Sequence, residues 1–197
     1  MSGHRFNPKK AELLIDPKRE KLLSPAKMAD LLRITQDDTI ADLGAGNGFF
    51  SIPFAKMTKK KLIAVDIEPQ MLEKLKGRAA DEGVSNIEYV ESSLEDMEFQ
   101  QESVDKVITS LVLHEVKDLD QVLIQIFNMM KPKGRALIIE WEKVESESGP
   151  PLHERISSEE LANTVKKLQV EASVHKINEL QYGIVFARKK DLPQNLK

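Results

Sequence analysis

From Thr39 onward, short apolar runs alternate with stretches whose apolar residues recur every three or four positions. The runs 39–43, 61–66, 87–91, 104–110 and 134–141 read as strands, bounded by Gly, Pro, Asn and Asp. The stretches near 48–57, 69–82 and 118–130 read as amphipathic helices, whereas a loop follows 87–91. The turn Lys131-Pro132-Lys133-Gly134 is expected to open the strand at 134. Apolar strands separated by amphipathic helices make a doubly wound, mostly parallel α/β sheet. The end of the chain breaks this rhythm. After a helix near 157–168, Glu171–Ile177 and Gln181–Arg188 are β-prone runs joined by only a few residues. So short a connection can only join an antiparallel pair, which reverses the last strand. The opening through Arg33 reads as short helices, with Ser24 as an N-cap and Pro25 at the first helical position. Met28, Leu31 and Leu32 give that segment an apolar face.

No repeat, linker or low-complexity tract divides the 197 residues, and 41% of them are apolar. We expect one domain over 1–197, with the core at 39–190 and residues 1–35 as a helical addition. Charged residues of both signs are mixed to a net −3, which argues against a dedicated polyanion binder. The basic clusters Lys59-Lys60-Lys61 and Arg188-Lys189-Lys190 read as solvated turns. Cysteine is absent, which excludes a disulfide scaffold, thiolate metal sites and a thiol nucleophile. His4, His153 and His175 have no ligand-like spacing, so no metal site is expected. No apolar run approaches about 18 residues and no charged leader precedes an apolar core. A soluble, cytoplasmic protein is the expectation, with no membrane partner.

The densest chemical signal is Ile40-Ala41-Asp42-Leu43-Gly44-Ala45-Gly46-Asn47-Gly48-Phe49-Phe50. An apolar strand, a carboxylate and three alternating glycines read as a strand entering a tight turn before a helix. The amides of such a turn are expected to form an electropositive rim for carboxylate or ribose oxygens. No Gly-x-x-x-x-Gly-Lys-Ser/Thr run exists, so a phosphate loop is not indicated. Gly-x-Gly-x-x-Gly fails at its third glycine, where Phe49 stands, which disfavours a nicotinamide-dependent oxidoreductase. A second strand ends in a carboxylate at Leu62-Ile63-Ala64-Val65-Asp66-Ile67-Glu68-Pro69. Such an acid can accept both ribose hydroxyls, at roughly 1.5–3 kcal/mol per charge-assisted bond. Its alternative is a helix N-cap ahead of Pro69.

Asp42-Leu-Gly-Ala-Gly-Asn-Gly followed by Val65-Asp66-Ile-Glu-Pro resembles motifs I and II of the class I S-adenosylmethionine-dependent methyltransferases. The resemblance implies a Rossmann-like seven-stranded sheet with a reversed terminal strand, and S-adenosylmethionine as cofactor. It implies that Asp42, Gly44, Ala45 and Gly46 lie against the methionine half, Asp66 at the ribose and Ile67 along the adenine. Family members often carry Gly-Asp-Ala-Glu-x-Leu-Pro-Phe after the third strand, and this chain has Ser92-Ser93-Leu94-Glu95-Asp96-Met97-Glu98-Phe99. Ser93 stands where an Asp is expected, and its hydroxyl and the Leu94 amide are assigned to adenine. Glu95 and Asp96 read as solvated loop charges.

Ser110-Leu111-Val112-Leu113-His114-Glu115-Val116 resembles the family's Leu-His-His-Val stretch, with Glu115 in place of the second His. Ser110 and Leu111 are assigned to the methionine moiety. His114 is the candidate general base, its alternative being an imidazole that orders its loop. Gly149-Pro150-Pro151-Leu152-His153-Glu154-Arg155 is either a wall that aims His153 or Arg155 into a pocket or a plain turn before a helix cap at Ser157 or Ser158. The lack of cysteine speaks against cytosine-C5 and thiol-dependent arsenite methylation. The (Asp/Asn)-Pro-Pro-(Tyr/Phe) motif of nucleic-acid amino methyltransferases is missing too. The expected reaction is in-line methyl transfer to a small-molecule acceptor, with RNA or protein acceptors behind it. Phe6-Asn7-Pro8 is a candidate lid, and Phe6, Phe49 and Leu111 candidate apolar lining. The remaining alternative from another class is a non-catalytic S-adenosylmethionine-binding subunit.

Overall fold

Alternation of buried apolar strands and half-buried helices packs into three layers in the computed structural model, which describes residues 17–189. The expected lid at Phe6-Asn7-Pro8, the opening of the N-terminal helical addition, and Lys190 lie outside the described residues. The chain runs α1 (Pro17–Leu22), α2 (Pro25–Leu32), β1 (Ile40–Leu43), α3 (Ser51–Met57), β2 (Leu62–Asp66), α4 (Pro69–Asp81) and β3 (Ile87–Glu91). It continues with β4 (Val104–Ser110), α5 (Leu119–Met129), β5 (Met130–Trp141), α6 (Ser158–Lys166), β6 (Ala172–Lys176) and β7 (Gln181–Ala187). The seven strands lie in the order β3-β2-β1-β4-β5-β7-β6, parallel except for β7, which is antiparallel to both neighbours.

Central strands covered on both faces need apolar residues at every position, which explains the continuous runs of β1 and β2. Alternate residues feed opposite cores. Ala41, Leu43, Ile63, Val65 and Ile138 face α5 and α6, where Val122, Ile126, Phe127, Leu161 and Val165 pack. Ile40, Leu62, Ala64, Leu137 and Ile139 face α2, α3 and α4 through Met28, Leu32, Ile52, Phe54 and Leu75. Asp118 caps α5 by accepting from the Gln121 amide at 2.9 Å, and Ser157 caps α6 by accepting from the Glu160 amide at 3.2 Å. Such caps contribute about 1 kcal/mol each. Ser24 occupies the N-cap position of α2 as expected, yet its side chain makes no capping bond.

Two boundaries differ from the sequence reading. The helix expected near 48–57 begins at Ser51, because the glycine turn runs on to Phe50 with Gly48 at φ +91°. The strand expected at 134 begins at Met130, pairing Val104 with Met130 and then Lys106 with Arg135. The turn Lys131–Gly134 is therefore a bulge looped out of β5, with Lys133 at φ +70°. No helix among the described residues is long and apolar enough to cross a membrane.

β1, β2 and β3 step outward one way and β4 and β5 the other, so strand order reverses between β1 and β4. In an open α/β sheet this reversal leaves a crevice outside the carboxyl ends of the strands. Gly48 closes the helix side of that crevice, since a Cβ there would meet Leu75 Cδ1 of α4 at 2.1 Å. Gly48→Ala should therefore lower unfolding free energy by about 1–3 kcal/mol in urea titrations. Gly77→Ala, in exposed α4 where a Cβ meets nothing within 4 Å, should raise it by about 0.5–1 kcal/mol.

Candidate active site

A cleft of about 580 Å³ opens at that reversal, and three strands deliver an acid to it or behind it: Asp42, Asp66 and Glu140. Asp42 is buried at 2% exposure and accepts from the Ser51 hydroxyl at 2.5 Å. Burial pushes its carboxyl up to about 7 against the Ser51 hydrogen bond; Asp66 adds to the rise and Arg19 opposes it. Arg19 of α1 lines the same end, its guanidinium 4.5 Å from the Phe49 ring centroid. Burial lowers it to about 10, with Asp42 opposing, so it stays cationic at neutral pH.

Gly44, Gly46 and Gly48 all take positive φ, so the loop doubles back onto the end of β2. The Val65 carbonyl accepts from the Gly44 and Ala45 amides at 2.8 and 2.9 Å. The Gly46 amide donates to Asp66 Oδ2 at 2.7 Å, and the Gly48 amide to the Ala45 carbonyl at 3.0 Å. These four donors hold the loop itself, so they are not part of the expected rim of open amides. Asp66 Oδ1 accepts from the Glu68 amide at 2.9 Å at the start of α4, so the capping and cleft-facing readings of Asp66 coexist. Burial raises the Asp66 carboxyl against its bonds to Glu68 and Gly46.

Ile67 lines the cleft beyond Asp66, and Leu94 and Ser93 face it from the loop after β3. The Ser93 hydroxyl donates to Asp96 Oδ2 at 2.7 Å and accepts from the Asp96 amide at 3.1 Å, a closed local turn. Glu95 is more than a solvated charge, since its carboxylate accepts from the Lys117 amide at 2.6 Å and fixes the loop to the start of α5. Across the cleft, Ser110 Oγ is buried without a hydrogen-bond partner, and Leu111 holds φ +60°.

His114 lies on a short 3₁₀ turn, Leu113–Glu115, with its ring 5% exposed. Its Nδ1 is 2.9 Å from Glu140 Oε2, and the fully buried Glu140 carboxylate also accepts from the Leu113, His114 and Trp141 amides at 2.7, 3.3 and 3.1 Å. Burial pushes the imidazole down, but the hydrogen bond and charge of Glu140, with Glu115 and Glu154, outweigh it and raise the pKa above its ordinary value. Glu140 was not singled out from sequence, although it ends an apolar strand just as Asp42 and Asp66 do.

Gly149, Pro150 and Pro151 wall one side of the cleft beside Trp141. His153 points to solvent, with its side chain 81% exposed. Arg155 is buried and turned away from the cleft, donating to the Glu142, Val144, Ser148 and Pro150 carbonyls and the Ser146 hydroxyl. The loop is therefore a wall, and neither basic residue is aimed into the pocket.

Every residue named from sequence for the cofactor, and His114, lines this one cleft. A family model described as a methyltransferase domain matches residues 34–192, and the chain belongs to that family. Fold, glycine loop and strand-end acids agree with the class I S-adenosylmethionine-dependent methyltransferases that the sequence motifs resemble. The ubiquinone/menaquinone biosynthesis C-methyltransferase UbiE of Francisella tularensis is 34% identical over 113 residues, 56% of this chain and 45% of its own length. The chain thus spans less than half the length of the curated relatives it matches. A SAM dependent methyltransferase from Aquifex aeolicus has a TM-score of 0.85 at 24% identity, covering 93% of this chain and 100% of that one. The [4+2]-cyclase SpnF has a TM-score of 0.75 at 13% identity over 96% of this chain and 87% of its own, so other chemistry is found on the same fold. The residues fit S-adenosylmethionine: the cleft has small-molecule size, Asp66 retains accepting lone pairs, and Ser110 Oγ is a buried polar atom awaiting a partner.

Two measurements check this electrostatic picture. A raised carboxyl costs stability once the unfolded chain ionises, so the Asp42 penalty grows from about pH 4 to about pH 7 and is constant above. Asp42→Asn should gain steadily on the wild type as pH rises across that window and keep its advantage above it, read by urea unfolding of the empty protein. Imidazole NMR should show His114 titrating above pH 6.5 in the wild type and at lower pH in Glu140→Gln.

Proposed function

We propose that the protein methylates a small-molecule acceptor in this cleft, with S-adenosylmethionine as donor. The observation that carries the reading is the convergence of the glycine loop, Asp66, Ser110 and His114, with Glu140 behind its ring, on one cavity. When bound, S-adenosylmethionine supplies an electrophilic methyl group whose leaving sulfur needs no protonation.

Asp66 accepts the ribose hydroxyls while its amide bonds keep the glycine loop in place. Ile67 and Leu94 flank the adenine, and Ser93 contributes backbone rather than its engaged hydroxyl. Asp42, Gly44 to Gly46, Ser110 and Leu111 hold the methionine end. His114 takes the acceptor's proton on Nε2, while Glu140 fixes the ring through Nδ1. Alignment and exclusion of water do most of the work, a contribution of about 7–11 kcal/mol when geometry is good. Similarity to an enzyme whose name assigns it to ubiquinone and menaquinone biosynthesis supports a small molecule over RNA or protein as acceptor.

Calorimetry with S-adenosylmethionine and S-adenosylhomocysteine tests the reading. The wild type should bind both, and Asp66→Ala or Asp66→Asn should bind them at least about tenfold more weakly. A folded wild type that binds neither would overturn it.

A further inference from the structure

The turn that carries His114 is held at both ends by carboxylates, and the two come from different parts of the fold. Glu140 ends β5, has no exposed side-chain surface, and takes the Leu113 and His114 amides together with the imidazole Nδ1. Beyond His114, the Glu115 and Val116 amides donate back to the Val112 and Leu113 carbonyls at 3.0 and 3.4 Å. The next amide, that of Lys117, donates instead to Glu95 Oε1 at 2.6 Å. Glu95 is half-buried in the loop after β3, beside Ser93 and Leu94, and lines the cleft with them. That loop is tied at its start, where the Ser92 amide donates to the Asp66 carbonyl at 3.1 Å. It is tied again at Glu95, whose carbonyl accepts from the Gln121 and Gln125 side chains of α5 at 3.1 and 2.9 Å. Hydrogen bonds and a short stretch of backbone thus connect Asp66, through residues 92–95 and Lys117, to the His114 turn.

We propose that Glu95 is a positioning residue for His114, transmitting the seating of the cofactor's nucleoside half against Ser93 and Leu94 to the turn that carries the base. The donors to Glu140 belong to Leu113, His114 and Trp141, so that acid fixes the ring from within the sheet. Glu95 faces the other way, with its backbone in the loop assigned to adenine and its carboxylate on the His114 turn. A bond from an amide to a carboxylate is short and strong, so displacement of the loop reaches Lys117, three residues from His114. A nucleoside that stiffens residues 92–95 thereby narrows the freedom of the turn, and the base is set before an acceptor enters. The inference rests on the S-adenosylmethionine reading above.

NMR of the His114 imidazole tests this, with adenosine added to the full chain as a probe that carries the nucleoside half alone. Adenosine should shift the His114 ring signals of the wild type. Glu95→Ala, compared at saturating adenosine, should lose most of that shift. Glu95→Gln should keep part of it, since an amide oxygen still accepts from the Lys117 amide, and it carries the test if the alanine variant does not fold. Calorimetry with adenosine on the same variants reports whether the nucleoside half of the site is intact. A shift undiminished in the variants that fold would overturn the proposal. Folded variants that no longer bind adenosine would reduce Glu95 to a scaffold of the nucleoside site, and overturn it too. A wild type that binds S-adenosylhomocysteine yet shows no His114 response to adenosine would overturn the proposal and leave the cofactor reading in place. A wild type that binds neither compound would overturn both.

Discussion

The carboxylate of Asp66 joins three pieces of chain. One oxygen accepts from the Gly46 amide after β1, the other from the Glu68 amide before α4, and the residue itself ends β2. Immediately before it, the Val65 carbonyl accepts from Gly44 and Ala45. The end of one strand thus serves as the template on which the loop of its neighbour is wound. Positive φ at the loop glycines is what allows the backbone to turn back far enough to reach it. Because the template sits where strand order reverses, the same bonds that shape the loop also shape the floor of the cleft.

Glu140 repeats the arrangement on the other half of the sheet. It ends an apolar strand, is wholly buried, and collects backbone amides from the turn after β4 while holding the His114 ring. A charge so deeply placed is tolerable only with several donors, and Leu113, His114 and Trp141 provide them. Asp42 accepts from the Ser51 hydroxyl, and burial raises its pKa against that bond.

The strands and the cleft-lining residues were legible because they follow from local pattern. Apolar runs bounded by turn residues mark strands, and β3 and β4 have the bounds read from sequence. Alternating glycines beside an acid marked the loop. What stayed illegible depends on where chain segments meet. The Lys131–Gly134 turn reads as a boundary, yet β5 pairs on both sides of it, since the register is set by β4. The loop amides read as open donors, yet Val65 and Asp66 take them up. Ser93 reads as a ligand hydroxyl, yet Asp96 three residues on engages it. Arg19 and Glu140 lie far in sequence from the partners that give them meaning, so neither spacing nor composition points to them.

The guanidinium of Arg155 ties together the loop that walls one side of the cleft, and the kind of atoms it grips matters. Apart from the Ser146 hydroxyl, its partners are main-chain carbonyls, those of Glu142, Val144, Ser148 and Pro150. A clamp on backbone oxygens is blind to the side chains those residues carry. Substitutions along the loop can reshape the pocket rim while the loop keeps its course. The fold thus separates a cleft floor set by side-chain bonds from a wall whose own side chains are free to vary. Such a division lets one scaffold diversify by exchanging a short stretch of surface, with its anchor left in place.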